Sequence, residues 1–363
     1  MIMADNNENK VLNVPPLRFP EFTGEWQCKA IEKVAPLQRG FDLPTQNLVE
    51  GIYPVIYSNG ILQHHDKYKC EAPGLITGRS GTIGKFTYID SGFYWPHNTS
   101  LWVTDFCGNC PKFIYYLYQT VHIEQFSTGS GVPTLNRNDV HRYKTSVPTA
   151  IVEQEKIAKF LSILDERIVT QNKIIEKYES LIKGIAQHCI KESISGITYV
   201  KLGDICQIST GKLDANAQVD NGIYPFFTCA EQPFKIDNFA FDTEALLISG
   251  NGANLGYINY YKGKFNAYQR TYVLDLFSEN IQYIKWALKV LLPKRIAIEK
   301  SSSNTPYIVL STLTDLRLPI PNKSNQCHIA KLMQSLERKL SSQIALNGSY
   351  NKLKQYLLRQ MFI

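Results

Sequence analysis

Two stretches of the chain carry its strongest hydrophobic pattern. From Ile157, positions three and four residues apart run through Leu161, Leu164, Ile168, Gln171, Ile175, Tyr178, Ile182, Ile185 and Cys189. From Ile329 the same spacing runs through Met333, Leu336, Leu340, Gln343, Asn347, Tyr350, Lys354, Leu357 and Met361. This is the heptad seam of helices that pack along each other. It predicts two helices of about 35–40 residues, hence roughly 50–60 Å each at 1.5 Å per residue. Helices of that length are rare inside a compact domain, which favours a paired rod over two separate core helices. Gln171 recurs as Gln343 and Tyr178 as Tyr350, each 172 residues on. A polar residue at a seam position costs stability and fixes register. Asn347 and Lys354 make the second seam more polar, so that end is expected to splay or to pack against a partner chain.

Before each helix the pattern shortens to apolar runs broken by turns. Pro54–Tyr57 precedes Ser58-Asn59-Gly60, and Lys85–Ile89 precedes Asp90-Ser91-Gly92. Such runs read as strands. Shorter helices are expected at Lys112–Thr120 and Ile281–Leu292. The regions from Trp26 to about Thr149 and from Tyr199 to about Pro321 therefore read as mixed α/β units with strand-rich cores.

The two regions repeat each other. Glu50-Gly51-Ile52-Tyr53-Pro54-Val55 resembles Asn221-Gly222-Ile223-Tyr224-Pro225-Phe226, and Leu75-Ile76-Thr77-Gly78 aligns with Leu247-Ile248-Ser249-Gly250. Gly-rich loops follow, closing at Gly84 and at Gly256. Ile157-Ala158-Lys159 returns as Ile329-Ala330-Lys331. A repeat this long implies two copies of one domain, each followed by one helix.

Composition changes little in this picture. Hydrophobic residues make up 44% of the chain, enough for packed cores and against wholesale disorder. The net charge of +7 permits a polyanionic partner without requiring one. The N-terminus lacks the apolar run of a signal peptide, no stretch approaches a membrane span, and the eight cysteines are scattered. A cytoplasmic location is expected.

Catalytic motifs are missing from the sequence. Cys107-x-x-Cys110 has no second CxxC, so two thiols are a better reading than a zinc site. The loop Gly78–Lys85 is one residue too long for a phosphate loop, and Phe86 follows its lysine. The chain has no G-x-S-x-G elbow and no Asn-Pro-Pro-Tyr/Phe stretch.

The loops carry side chains suited to nucleic acid instead. Arg79, Ser80, Thr82 and Lys85 cluster in the first Gly-rich loop, with Ser58 and Asn59 in a preceding turn. Asn251 and Asn254 stand in the second, followed by Lys262, Lys264, Tyr268, Gln269 and Arg270. Arg and Lys pair with guanine edges or phosphates, and Asn and Gln with adenine. A further pair of loops holds small hydroxyl groups: Ser127, Thr128 and Ser130 in one, and Ser302, Ser303, Asn304 and Thr305 in the other. The two copies carry different side chains, so two DNA-reading loops would read different sequences. A coiled-coil scaffold whose globular heads bind proteins is the alternative.

Leu17-Arg18-Phe19-Pro20-Glu21-Phe22, Trp26, the paired Gly-Ile-Tyr-Pro segments, the Thr128–Pro133 loop and Pro148 to Glu153-Gln154-x-x-Ile157-Ala158 resemble the specificity subunits of Type I restriction–modification enzymes. The resemblance covers essentially the whole chain. It implies two target recognition domains of mixed α/β fold, at 17–150 and 199–321. Two long antiparallel coiled-coil helices, at 151–191 and 322–362, would join and separate them. Each domain would read one half of a bipartite double-stranded DNA target. The seam residues Leu161, Leu164, Ile168, Gln171, Tyr178, Leu336, Leu340, Gln343 and Tyr350 would fix the gap between the halves. The subunit itself would be non-catalytic and without cofactor or metal. Two methyltransferase subunits using S-adenosylmethionine, and two restriction subunits using ATP and Mg, would supply the chemistry.

Overall fold

The computed structural model describes residues 13–129, 131–192, 198–302 and 307–363. Six α-helices are present among them: α1 (Pro111–Thr120), α2 (Arg137–Arg142), α3 (Ile151–Glu192), α4 (Ile281–Ser302), α5 (Leu310–Thr314) and α6 (Lys323–Met361). The two seam helices are thus 42 and 39 residues long. The one expected at Ile281–Leu292 extends a further ten residues, through an internal Pro293.

The chain divides into two units, Met1–Gln171 with Leu346–Ile363, and Asn172–Ala345. The first contains two four-stranded sheets. In one, Leu37–Arg39, Ser100–Val103, Gly74–Gly78 and Phe86–Ile89 are neighbours in that order, all antiparallel. In the other the order is Gly60–His65, Tyr53–Tyr57, Phe93–Pro96, Cys70–Glu71, with the middle pair parallel. The second unit has the same neighbours fused into one six-stranded sheet, because Phe241–Ser249 and Ile258–Ala267 each run unbroken. In the first unit Pro73 interrupts the corresponding strand, since proline brings no N–H to the ladder.

The register of these ladders corrects one detail of the repeat. Gly78 lies opposite Ser100, and Ser249 opposite Thr271. The structural counterpart of Arg79 is therefore Gly250, one residue earlier than the Leu-Ile-Thr-Gly alignment places it. Gly74–Gly78 is buried at every position, and so is Ala245–Ser249. A strand covered on both faces has no alternation from which register can be read.

In the first unit, Phe113, Tyr116 and Leu117 of α1 pack on Leu75 and Leu101 of the sheet, on Ile157, Leu161 and Leu164 of α3, and on Leu357 and Met361 of α6. In the second, Tyr283, Ala287 and Leu288 of α4 pack on Leu246 and Leu274 and on Ile190 of α3. Ile182 and Ala186 of α3 there meet Met333, Leu336 and Leu340 of α6. In each unit the start of one long helix lies against the end of the other, so the pairing is antiparallel in both.

The polar end of the second seam does not splay within the first unit. Lys354 Nζ lies 2.7 Å from Asp165 Oδ1 on α3, and Tyr116 donates its hydroxyl to Asp165 Oδ2 at 2.8 Å. The lysine is answered across the seam by a carboxylate and an aromatic face.

One glutamine at the start of each long helix repeats a structural role. Gln154 Nε2 donates to the Pro148 carbonyl at 3.0 Å, and its Oε1 accepts from the Cys110 N–H, at the head of α1. Gln326 Nε2 donates to the Pro321 carbonyl at 2.9 Å, and its Oε1 accepts from the Asn280 N–H, at the head of α4. Beside Gln154, the buried Glu153 accepts two bonds from Arg18, at 2.7 and 2.8 Å, and one from Trp26 Nε1 at 3.1 Å. The opening motif of the chain and the helix-start motif thus meet in space.

Candidate nucleic-acid interface

Gly78 ends a strand where the chain must turn back on itself. A Cβ there would lie 1.7 Å from the Thr82 carbonyl oxygen and 3.0 Å from that of Ser58. Only glycine permits so close an approach. The next residue is fixed on both sides: Arg79 N–H donates to the Thr99 carbonyl, and Leu135 N–H donates to the Arg79 carbonyl, both at 2.8 Å. Ser80 bridges to Thr134. The Ser127–Thr128 strand pairs with Thr134–Leu135, so the two loops singled out in this half adjoin each other.

A groove of about 640 Å³ opens beside them, lined among others by Arg39, Asp42, Arg79, Thr128, Asn136 and Arg137. Arg39 is paired with Asp42 at 2.9 Å. Neither Arg79 nor Arg137 ion-pairs with a carboxylate among the described residues, which leaves two unneutralised guanidinium groups. A concave site with excess charge of one sign concentrates counter-charged ligands. Asn98 also donates to Asp42, and the His97 ring lies tilted against Tyr57 with centroids 4.2 Å apart. Burial pushes the His97 imidazole below its ordinary value, favouring the neutral ring.

The remaining loop residues of this half scatter more widely. Asn59, Thr82 and Lys85 are exposed, while Ser127 Oγ is engaged with the Glu124 carbonyl at 2.7 Å. Ser130 lies outside the described residues. Arg39, Asp42, His97, Asn98 and Arg137 were not picked from the sequence. Only the fold brings them to Arg79, and no pattern in the sequence marks them; one of their contacts recurs in the second unit, where Asn98 on Asp42 returns as Gln269 on Asp214, at 2.7 Å.

The second unit rebuilds the same turn. Gly250 N–H donates to the Arg270 carbonyl, and Ile308 N–H to the Gly250 carbonyl, both at 2.8 Å. Asn251 bridges to Tyr307. Cys229 Sγ donates to Asn251 Oδ1 at 3.0 Å, and Asn254 Nδ2 donates to the Cys229 carbonyl at 3.0 Å. These contacts orient both amides. Tyr268, Gln269 and Arg270 lie in the segment leading to the adjoining strand. Lys262 and Lys264 are not brought to this loop. They stand on a strand opposite Glu244 and Asp242, with Lys262 3.4 Å from Glu244 and Lys264 over the Phe239 ring. Cross-strand charge pairing holds them there. Ser303, Asn304 and Thr305 lie outside the described residues, and of Ser302 only its place at the end of α4 is described.

The seam residues distribute between the units. Leu161 and Leu164 are core, with Ile168 and Tyr350 packed against them. Leu336 and Leu340 pack around Met333. Gln171 is 5% exposed, and Tyr178 and Gln343 are half-buried. No group of three His, Cys, Asp or Glu side chains suited to a metal occurs among the described residues, and none of their helices is long and apolar enough to cross a membrane.

The two copies of this turn coincide with two copies of a known domain. Residues 23–180 and 194–347 each match the family model for the Type I restriction modification DNA specificity domain. The chain belongs to that family. It is a specificity subunit, a recognition component rather than a catalyst. The Type I restriction enzyme EcoDI specificity subunit of Escherichia coli is 43% identical over 143 residues, which span 39% of this chain and 32% of that subunit. A putative type I specificity subunit of Mycoplasma genitalium, S.MgeORF438P, is 24% identical over 366 residues, 93% of this chain and 94% of the relative. Among solved structures, the S subunit of a Type I system from M. genitalium has a TM-score of 0.69 at 20% identity, covering 96% of this chain and 99% of that one. A chain solved for the complex assembly and conformational transition of a type I R-M system has a TM-score of 0.56 at 16% identity, covering 92% and 96%. Both establish likeness of fold.

Proposed function

We propose that each unit of this specificity subunit reads one half of a bipartite double-stranded DNA target, and that α3 and α6 dock methyltransferase subunits. The observation that carries this reading is the shared turn at Arg79–Ser80 and Gly250–Asn251. The same pair of main-chain bonds holds it in both copies, yet its side chains differ, as two readers of different sequences require. Phosphate contacts would position each unit, and base edges would be read by the side chains the turns present. Two copies of an adenine methyltransferase bring S-adenosylmethionine, and two ATP- and Mg-dependent restriction subunits complete the enzyme. The chain itself contributes target choice.

Long-read sequencing of adenine methylation tests this directly. With the gene intact, a bipartite methylated motif with a fixed gap is expected, and deletion of the gene removes it. Replacing residues 17–150 with the corresponding domain of another specificity subunit changes one half of the motif and leaves the other. Methylation that persists unchanged after deletion, with the methyltransferase expressed, would exclude the reading. The motif itself supplies the bases.

A further inference from the structure

We infer that Arg79 and Arg270 are counterparts: each unit sets one specificity-determining arginine at the same point of its turn, from opposite strands of one hydrogen-bonded pair. The inference rests on the DNA-reading function just proposed. In the first unit the turn residue is Arg79, and its N–H donates to the Thr99 carbonyl at 2.8 Å. In the second the turn residue is Gly250, and its N–H donates to the Arg270 carbonyl at the same distance. The ladder registers make Arg79 equivalent to Gly250 and Thr99 equivalent to Arg270. The two halves therefore exchange a large cationic side chain and a small residue across a single main-chain bond.

Packing explains the exchange. A Cβ at Gly250 would lie 2.4 Å from the Arg270 carbonyl oxygen and 3.1 Å from the Tyr272 ring, so the second turn has no room for a side chain. The arginine must come from the neighbouring strand. In the first unit, Thr99 is short and its hydroxyl is engaged with His97 Nδ1 at 3.0 Å, which leaves the space to Arg79. Neither arginine ion-pairs with a carboxylate among the described residues. Both sit where the backbone is held from two sides. Arg79 is bonded at its N–H and its carbonyl, whereas the Arg270 carbonyl accepts from both Gly250 N–H and Cys229 Sγ, the latter at 3.5 Å. A guanidinium carried on a fixed backbone is suited to the bidentate O6/N7 edge of guanine, and Arg79 also lines the groove of the first unit. Sequence alignment hides this equivalence, because its 172-residue offset sets Arg79 against Asn251 and Arg270 against Asn98.

The test uses the complete methyltransferase complex in cells, read by long-read methylation sequencing. Arg79→Ala is expected to relax one guanine position in one half of the motif. Arg270→Ala is expected to relax one guanine position in the other half. Discrimination at the relaxed position should fall about five- to 150-fold. Arg79→Lys and Arg270→Lys keep the charge but lose the planar fork, so they should relax the same positions. Where an alanine variant abolishes methylation altogether, the lysine variant decides: relaxation supports the inference, and an unaltered motif overturns it. Relaxation of the same half by both variants, relaxation at a position other than guanine, or uniform loss at every site with an unchanged motif each overturns it. The failure of the wider function would look different, because then deletion of the whole chain would leave the motif intact.

Discussion

Glu153 shows how much one buried carboxylate can organise. It is 2% exposed and takes both of its strong partners from a segment more than a hundred residues earlier, Arg18 and Trp26. A buried ion pair contributes little net stability while intact, but removing one partner strands the other charge. Arg18→Met is expected to cost about 3–5 kcal/mol, read as a lowered denaturation midpoint of the full chain. A shift of a few tenths would show that Arg18 is dispensable. Lys285 poses the opposite problem. Burial lowers its pKa below the ordinary 10.5, against the opposing pull of Glu337 at 2.7 Å. The unfolded chain therefore holds this proton more tightly than the folded one. Stability is depressed below the folded value and recovers as pH rises from there toward 10.5. Melting curves of wild type and Lys285→Met across that interval should show the stability difference between them changing with pH in the wild type's favour. A constant difference would mean that the lysine is not penalised.

At the scale of elements, the glutamine clamp is the clearest consequence of the duplication. Gln154 and Gln326 each tie a long helix to the head of a shorter one and to the proline carbonyl before it. Either glutamine replaced by Ala leaves a buried N–H and a buried carbonyl without their partner, at about 1–3 kcal/mol per stranded group. Denaturation of the two single variants should show comparable losses, and a loss in only one would mean that the roles are not equivalent. The long helices themselves were legible because a heptad is a one-dimensional signal: every seam position predicted from Ile157 to Cys189 and from Ile329 to Met361 is buried or half-buried. Strand register was not legible. The stretch around Ile76 is apolar on both faces, and alignment by residue type slid by one. Nor was the fate of Lys354, because Asp165 lies on the other helix and nothing in the local sequence ties them together.

For the whole molecule, order along the chain carried more than any motif did. The two family domains, the two turns and the two helix starts follow in the same sequence, and that succession was readable before the fold. The groove beside Arg79 was not, since Arg39, Arg79 and Arg137 are gathered from a strand, a loop and the start of α2. If both units grip DNA through such cations, affinity of the assembled complex should fall steeply with salt, about a thousandfold or more between 50 and 200 mM for half a dozen phosphate contacts. Titration at a fixed target sequence measures this, and a flat response would exclude ionic docking. The turn at Arg79 and Gly250 has a broader bearing. Its shape is held by main-chain bonds, the same pair at Arg79 and at Gly250, although the side chains in the loops beyond differ. It works as a typesetter's frame, in which the letters can be changed without rebuilding the press. One gene, by keeping the frame twice and filling it differently, already holds two solutions to the same problem. If the loops read DNA as proposed, substitutions in them can change what is read while the main-chain bonds that hold the turn stay as they are.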